Sequence, residues 1–357
     1  MSEPVTPSPR PRVVVIGLGG TIAMTRTGGG GVTPTLSARD LIDAVPGLAD
    51  TGIEVHALSL RNRPGASLTS EDILELAETL TQHFADGVTG AVITQGTDTI
   101  EETAYLLDLL HTGAQPIVVT GAMRNPTLAG ADGAANLLAA VTVAASPQAR
   151  ELGCVVVLAD EIHAAARVRK RHSMSTAAFV SPTGGVLGYL AEGQPRILNQ
   201  PSHRAALDLQ QLRRPLPRVG IHIATFGDDG ALLPTLAGGL DGLIIAGFGV
   251  GHVPDTWVTH LEDAASRIPV VLASRTGAGF TATSTYGFPG SERDLLSRGL
   301  IPAGILDPYK ARLLLQLTLA STSSHADAVA AFTAMSRTDR TPPLTGAAAP
   351  HREPVSR

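Results

Sequence analysis

Aromatic residues make up only 3% of this 357-residue chain, and it has a single cysteine. So few rings leave little stacking surface for single-stranded nucleic acid. A net charge of -5 argues against a polyanionic partner and favours solubility. Cys154 lies in the run Cys-Val-Val-Val-Leu and reads as a buried strand residue. Alone it forms no intramolecular disulfide, which suits a reducing compartment. No stretch is long enough to cross a bilayer without charge or glycine. The opening "MSEPVTPSPRPR" lacks the apolar core and cleavage site of a signal peptide. A soluble, cytoplasmic protein without membrane contact is expected. The histidines are scattered, with no short ligand spacing beside cysteines or carboxylates, so no metal site is predicted. G-x-S-x-G, H-E-x-x-H and G-x-x-x-x-G-K-[ST] motifs are all missing.

What the chain does have is core material, with 43% hydrophobic residues. Its length exceeds the usual limit for one core, so two domains are expected. Short β-branched runs at Val13–Ile16, Ala91–Thr94, Ile117–Thr120 and Val155–Leu158 alternate with helical spacing at Ser70–Phe84, Thr99–Leu110 and Asp132–Ala144. That alternation predicts an α/β fold, a mostly parallel sheet covered by helices on both faces, over residues 12–191. Prolines, arginines and glutamines crowd residues 192–217, which read as a linker. Strands at Gly220–Ala224, Gly242–Ala246 and Val270–Ala273, with a helix near Pro308–Ala320, predict a smaller parallel α/β domain over 218–335. The tails, 1–11 and 336–357, are expected to be disordered.

Ligands of open α/β sheets bind beyond the carboxyl ends of strands. Two such ends carry unusual loops. In "GLGGTIAM" the glycines resemble part of a dinucleotide fingerprint, but Ile22 stands where its last glycine or alanine belongs. What the glycines permit is close backbone approach to a ligand, with Thr21 next in line. In "TQGTDTIEET", Thr99 and Glu102 have the spacing of a capping box, and Glu101 and Glu102 suit a helix N-terminus. Thr97 and Asp98 precede that cap, either as turn residues or as chemistry. The basic run "AAARVRKRHSMS" reads as a surface loop, as a nucleic-acid patch, or as the source of a lysine, Lys170, that serves a threonine hydroxyl as base. Threonine is a poor nucleophile without such a partner.

Together with "ITQGTDTIEETAYLLDL", "VVTGAMRNPTLAGADGAANL", "DEIHAAARVRKRHSMSTAAF" and "GLIPAGILDPYKARLLLQLTL", these loops resemble the bacterial-type L-asparaginase family over nearly the whole chain. The resemblance implies a cofactor-free amidohydrolase that splits asparagine into aspartate and ammonia. It implies Thr21 as the nucleophile of an acyl-enzyme, Thr97 as the residue that positions water, and Lys170 as the base. Asp98 would orient that lysine and bind the substrate's α-ammonium. Gly20, Gly96, Ala122 and Met123 fall in the segments that line the family's site. Ser67, or failing that Ser59, falls on the serine that binds the substrate carboxylate. Backbone N–H groups near Gly96 and Thr97 would stabilise the oxyanion.

The chain also departs from the family pattern. Relatives carry a lid tyrosine soon after the nucleophile; here no tyrosine lies between Thr21 and Tyr105, and the aligned place is the glycine run 28–31. Tyr286 is the candidate substitute, within the chain or from a neighbouring subunit. Gln95 stands where many relatives have histidine, and Val250 where several have asparagine. A broader asparaginase-glutaminase or other small-amide hydrolase is therefore an alternative. So is a non-catalytic amino-acid-binding protein. The resemblance further implies a homotetramer of intimate dimers, or a homodimer, in which one subunit's second domain completes its neighbour's site.

Overall fold

The computed structural model describes residues 10–26, 32–34, 36–201 and 205–336. The glycine run 28–31 and nearly all of the two expected tails lie outside these residues. In chain order, β1 (Arg12–Gly17) precedes a short ribbon of β2 (Met24–Arg26) and β3 (Val32–Pro34). Then come α1 (Ala38–Asp43), β4 (Glu54–Ser59), α2 (Ser70–Ala85), β5 (Gly90–Thr94), α3 (Ile100–Leu110), β6 (Ile117–Thr120), α4 (Gly133–Ala145) and β7 (Cys154–Leu158). Five short strands follow: β8 (Glu161–Ala164), β9 (Arg169–Lys170), β10 (Phe179–Val180), β11 (Gly188–Ala191) and β12 (Gln194–Ile197). The C-terminal part runs β13 (Val219–Ile223), α5 (Leu233–Gly238), β14 (Gly242–Gly247), α6 (Val258–Ala265), β15 (Val270–Ser274), α7 (Glu292–Ser297), β16 (Ile301–Pro302), α8 (Pro308–Ser321) and α9 (His325–Ser336).

The large sheet has the order β12-β11-β8-β7-β6-β5-β1-β4. Its half from β4 to β7 is parallel. From β7 to β12 the neighbours are antiparallel. The chain leaves β1 for β4 on one side and then crosses to β5 on the other, so the strand order reverses at β1. A crevice forms at the carboxyl edge of such a switch point. The register brings the strand ends level there: Gly17 faces Ser59 and Thr94, and Thr94 faces Thr120. Four loops therefore leave the sheet side by side.

Strand alternation explains why the runs are apolar throughout. Val14 and Ile16 of β1 join one core with α2 and α3, while Val13 and Val15 join the opposite core with α1 and α4. Full burial of each such side chain contributes roughly 1.5–3 kcal/mol. Thr69 and Asp72 start α2 by capping each other's backbone, and Ile73, Leu76, Ala77 and Leu80 form its buried face. Cys154 is buried, as expected.

Three features depart from expectation. β4 was not foreseen, because its polar Glu54 and His56 interrupt the β-branched pattern in a half-exposed edge strand. The segment read as a linker from residue 192 first supplies β12, whose Pro195 faces Leu190 of β11. β12 is the edge of the sheet, where a proline's missing N–H breaks no ladder. The two sheets also share packing. Ile244 of β14, Val271 of β15 and much of α8 belong to the same apolar cluster as α3 and one face of the large sheet.

Candidate active site

At the carboxyl edge, three loops touch backbone to backbone. Gly20 adopts a φ of 86°, and a Cβ there would lie 2.0 Å from the Gly96 nitrogen. A Cβ on Gly96 would lie 2.7 Å from the Gly65 nitrogen. Only glycine fits such a contact. It sets the "GLGGT" loop, the "TQGTD" loop and the 60–67 loop against one another. Thr21 follows Gly20 at the head of a one-turn 3-10 helix, and Thr97 follows Gly96 at the head of another. The two threonines thus flank a pair of touching glycines.

Lys170 reaches Thr97, which sequence spacing could not establish. Its Nζ donates to Thr97 Oγ1 at 2.9 Å and to Asp98 Oδ1 at 2.8 Å. Thr97 is buried and the lysine side chain nearly so, while the Asp98 side chain is 68% exposed. The carboxylate therefore holds the lysine with one oxygen and still faces solvent, where a cationic ligand group can meet it. Lys170 sits in β9, with Phe179 of β10 opposite it.

Thr99 does not form the expected capping box. Its side chain makes no bond to the first turn of α3. Instead it donates to the Gly65 carbonyl at 3.1 Å and accepts from Gln95 Nε2 at 3.1 Å. The 3-10 turn at Thr97–Thr99 turns this hydroxyl to lacing two loops together. Glu101 and Glu102 do stand in the first turn of α3, as expected, but the Glu101 charge does not face solvent. It is buried, with Oε2 3.7 Å from Arg169 Nε and 3.5 Å from Lys310 Nζ. Burial pushes its carboxyl above the ordinary range despite these cations.

A fourth loop follows β6. Asp132 accepts the Met123 and Arg124 backbone N–H groups at 3.0 and 2.9 Å, and Asn136 donates to the Gly121 carbonyl at 3.0 Å. Ala122 is fully buried there and Met123 partly so. Ser67 lies exposed in the turn that carries Gly65. Ser59 Oγ instead accepts the Ala38 N–H at 3.1 Å and serves the start of α1. Tyr286 is held elsewhere, on the C-terminal part: its ring packs edge-on 4.8 Å from His252, and its N–H donates to Glu292 at 2.7 Å. Among the described residues, no group of three or more His, Cys, Asp or Glu side chains is placed to hold a metal ion. Glu101 and Gly65 were missed as site-builders because their partners are distant in sequence, and Asp132 and Asn136 because theirs lie 8 to 15 residues back, beyond the reach of local cap and turn rules.

A family model described as "Asparaginase, N-terminal" matches residues 12–203, and one described as "Glutaminase/Asparaginase C-terminal domain" matches 218–332. The chain belongs to the asparaginase family. An L-asparaginase of Bacillus licheniformis is 34% identical over 314 residues, 87% of this chain and 96% of that protein. A glutaminase-asparaginase of Pseudomonas aeruginosa is 33% identical over 323 residues, 87% of this chain and 86% of that protein. A solved structure described as "Probable Cytoplasmic L-asparaginase from Campylobacter jejuni" superposes with a TM-score of 0.80 at 34% identity, covering 90% of this chain and 99% of that one. The Campylobacter structure shares the α/β fold of this chain. No described helix is long and apolar enough to cross a membrane.

Proposed function

We propose that this asparaginase-family protein hydrolyses the side-chain amide of L-asparagine to L-aspartate and ammonia. The observation that carries the reading is Lys170 Nζ bridging Thr97 and Asp98 beside the Thr21 loop. In the reaction the Thr21 hydroxyl attacks the amide carbon, the C–N bond breaks, and ammonia leaves with the hydroxyl proton. The resulting ester is cut by water, whose proton passes by way of Thr97 and Lys170 on to the departing Thr21 oxygen, so that the Thr21 hydroxyl is restored and aspartate is freed. Splitting the cleavage in this way replaces one high barrier with two lower ones. Backbone N–H groups around Gly96 and Thr97 are oriented in advance toward the developing oxyanion. Asp98 takes the substrate's α-ammonium, and Ser67 its α-carboxylate.

Ammonia release from L-asparagine tests this reading, with Thr21→Ala, Thr97→Ala and Lys170→Met compared with wild type. Equal activity in all four proteins would refute the assigned roles. A second reading, glutamine as an additional substrate, is favoured by the similarity to the Pseudomonas glutaminase-asparaginase. Parallel assays with glutamine decide it.

We further propose that residues up to 197 and from 218 form two domains, and that the protein assembles as a homodimer or homotetramer. Phe226 is fully exposed on the C-terminal part, with Leu232, Phe280, Phe288 and Tyr286 also largely open. Light scattering would report the assembly. A monomer at micromolar concentration would refute it.

A further inference from the structure

The chain contains 25 arginines but only two lysines, Lys170 and Lys310. One stands on Thr97 and Asp98, and the other is completely buried close behind it. Lys310 lies in the first turn of α8, and its Nζ donates to Asp307 Oδ2 and to the Val168 carbonyl, each at 2.7 Å. Its third neighbour is Glu101 Oε2, at 3.5 Å. Glu101 in turn approaches Arg169 and takes the backbone N–H of Lys170. Asp307 N-caps α8, and although burial alone would raise its carboxyl, Lys310 holds it below the ordinary value. Lys310, with Asp307 and Glu101 beside it, thus ties down Val168, Arg169 and Lys170 in succession.

β9 needs such a grip. It is two residues long and pairs with a strand of two residues, so no extended ladder sets its position. Fold stability is a weak reason for burying four charges, since well-packed apolar residues commonly stabilise as much. A compact ammonium suits two close acceptors and a third carboxylate at ion-pair distance better than a planar guanidinium.

We propose that Lys310 is a positioning residue for Lys170: by holding Val168, Asp307 and Glu101, it fixes β9 so that Lys170 Nζ stands on Thr97 and Asp98. Helix α8 of the C-terminal part then supports the active site of its own chain. The kinetic arm of the test rests on the proposed function; the spectroscopic arm does not.

With two lysines in the chain, protein grown on ε-13C-lysine gives two side-chain signals, and Lys170→Met assigns them. In Lys310→Met the Lys170 signal is expected to shift or broaden. The same variant is expected to lower kcat about 10- to 100-fold with KM within about threefold, as a displaced catalytic group does. Lys310→Arg, which keeps the cation, is expected to recover part of the rate. Lys170→Met with Lys310→Met is expected to be no slower than Lys170→Met alone, because the second change acts through the first. An unmoved Lys170 signal in Lys310→Met, or losses that multiply in the double variant, would overturn the proposal. If Lys310→Met does not fold, Glu101→Gln carries the same readouts. A wild type that releases no ammonia refutes the proposed function, and the lysine spectrum then decides the positioning role by itself.

Discussion

Replacing Gly20 with alanine separates two consequences of one methyl group. The φ of 86° at Gly20 costs an L-residue about 1–2 kcal/mol. The added Cβ also meets the Gly96 nitrogen at 2.0 Å, where ordinary contact begins near 3.4 Å. The loops bearing Thr21 and Thr97 must therefore part by about 1.4 Å, and a misplacement of about 1 Å already costs on the order of 100-fold in rate. Gly47→Ala is the control, with a φ of 78° and nothing within 4 Å of its Cβ. It carries the conformational cost alone. The expectation is that Gly47→Ala loses about 1–2 kcal/mol of stability and no activity, while Gly20→Ala also loses about 100-fold in kcat/KM. Urea unfolding gives the first quantity and ammonia release the second. If folded Gly20→Ala kept kcat/KM within a few-fold of wild type, the contact between the loops would have no bearing on catalysis.

Lys170→Met is expected to lower kcat by about 10²- to 10⁴-fold, the usual contribution of a general base, with KM changed only a few-fold in the same assay. Asp132→Ala leaves the Met123 and Arg124 N–H groups without their acceptor, so the loop after β6 should loosen at a cost of about 1–3 kcal/mol, seen as a lower melting temperature and a raised KM. His163 is fully buried, and burial pushes its ring down to about 4, so Glu161 at 3.3 Å faces a neutral imidazole. A base depressed in the folded state supports stability above its ordinary value of 6.5 and loses that support as pH falls toward 4. Urea titrations should therefore show about 2 kcal/mol lost between pH 7 and 5 from this group, and a shallower loss in His163→Gln.

The parallel core was legible because Val13–Ile16, Ala91–Thr94 and Ile117–Thr120 are buried on both faces and carry an unbroken apolar signal. β4 and the β11–β12 hairpin lie toward the two edges, where exposed positions admit Glu54, His56 and Pro195 and blur the pattern. Among site residues, Thr97 and Asp98 stood out because they were left over once a helix cap had been assigned to Thr99. The cap was the mistaken part: the Thr99 hydroxyl answers to Gly65, a residue 34 positions away. Glu101 holds the first-turn place read for it, but that place is only part of its role. Its place in the first turn of a helix gave it a local explanation, while its partners Arg169 and Lys310 come from distant segments. Local rules account for a side chain only when its nearest partners are also its neighbours in sequence.

The apolar cluster that runs from the large sheet through α3 and α8 to β14 and β15 bears on how the molecule comes apart. With one core common to both halves, heat or urea should melt them together, in a single cooperative transition. A protease cut ahead of Leu207, the first residue of this connection to pack on the shared core, would sever the covalent link and leave that core intact. The nicked halves should migrate as one particle until a denaturant separates them.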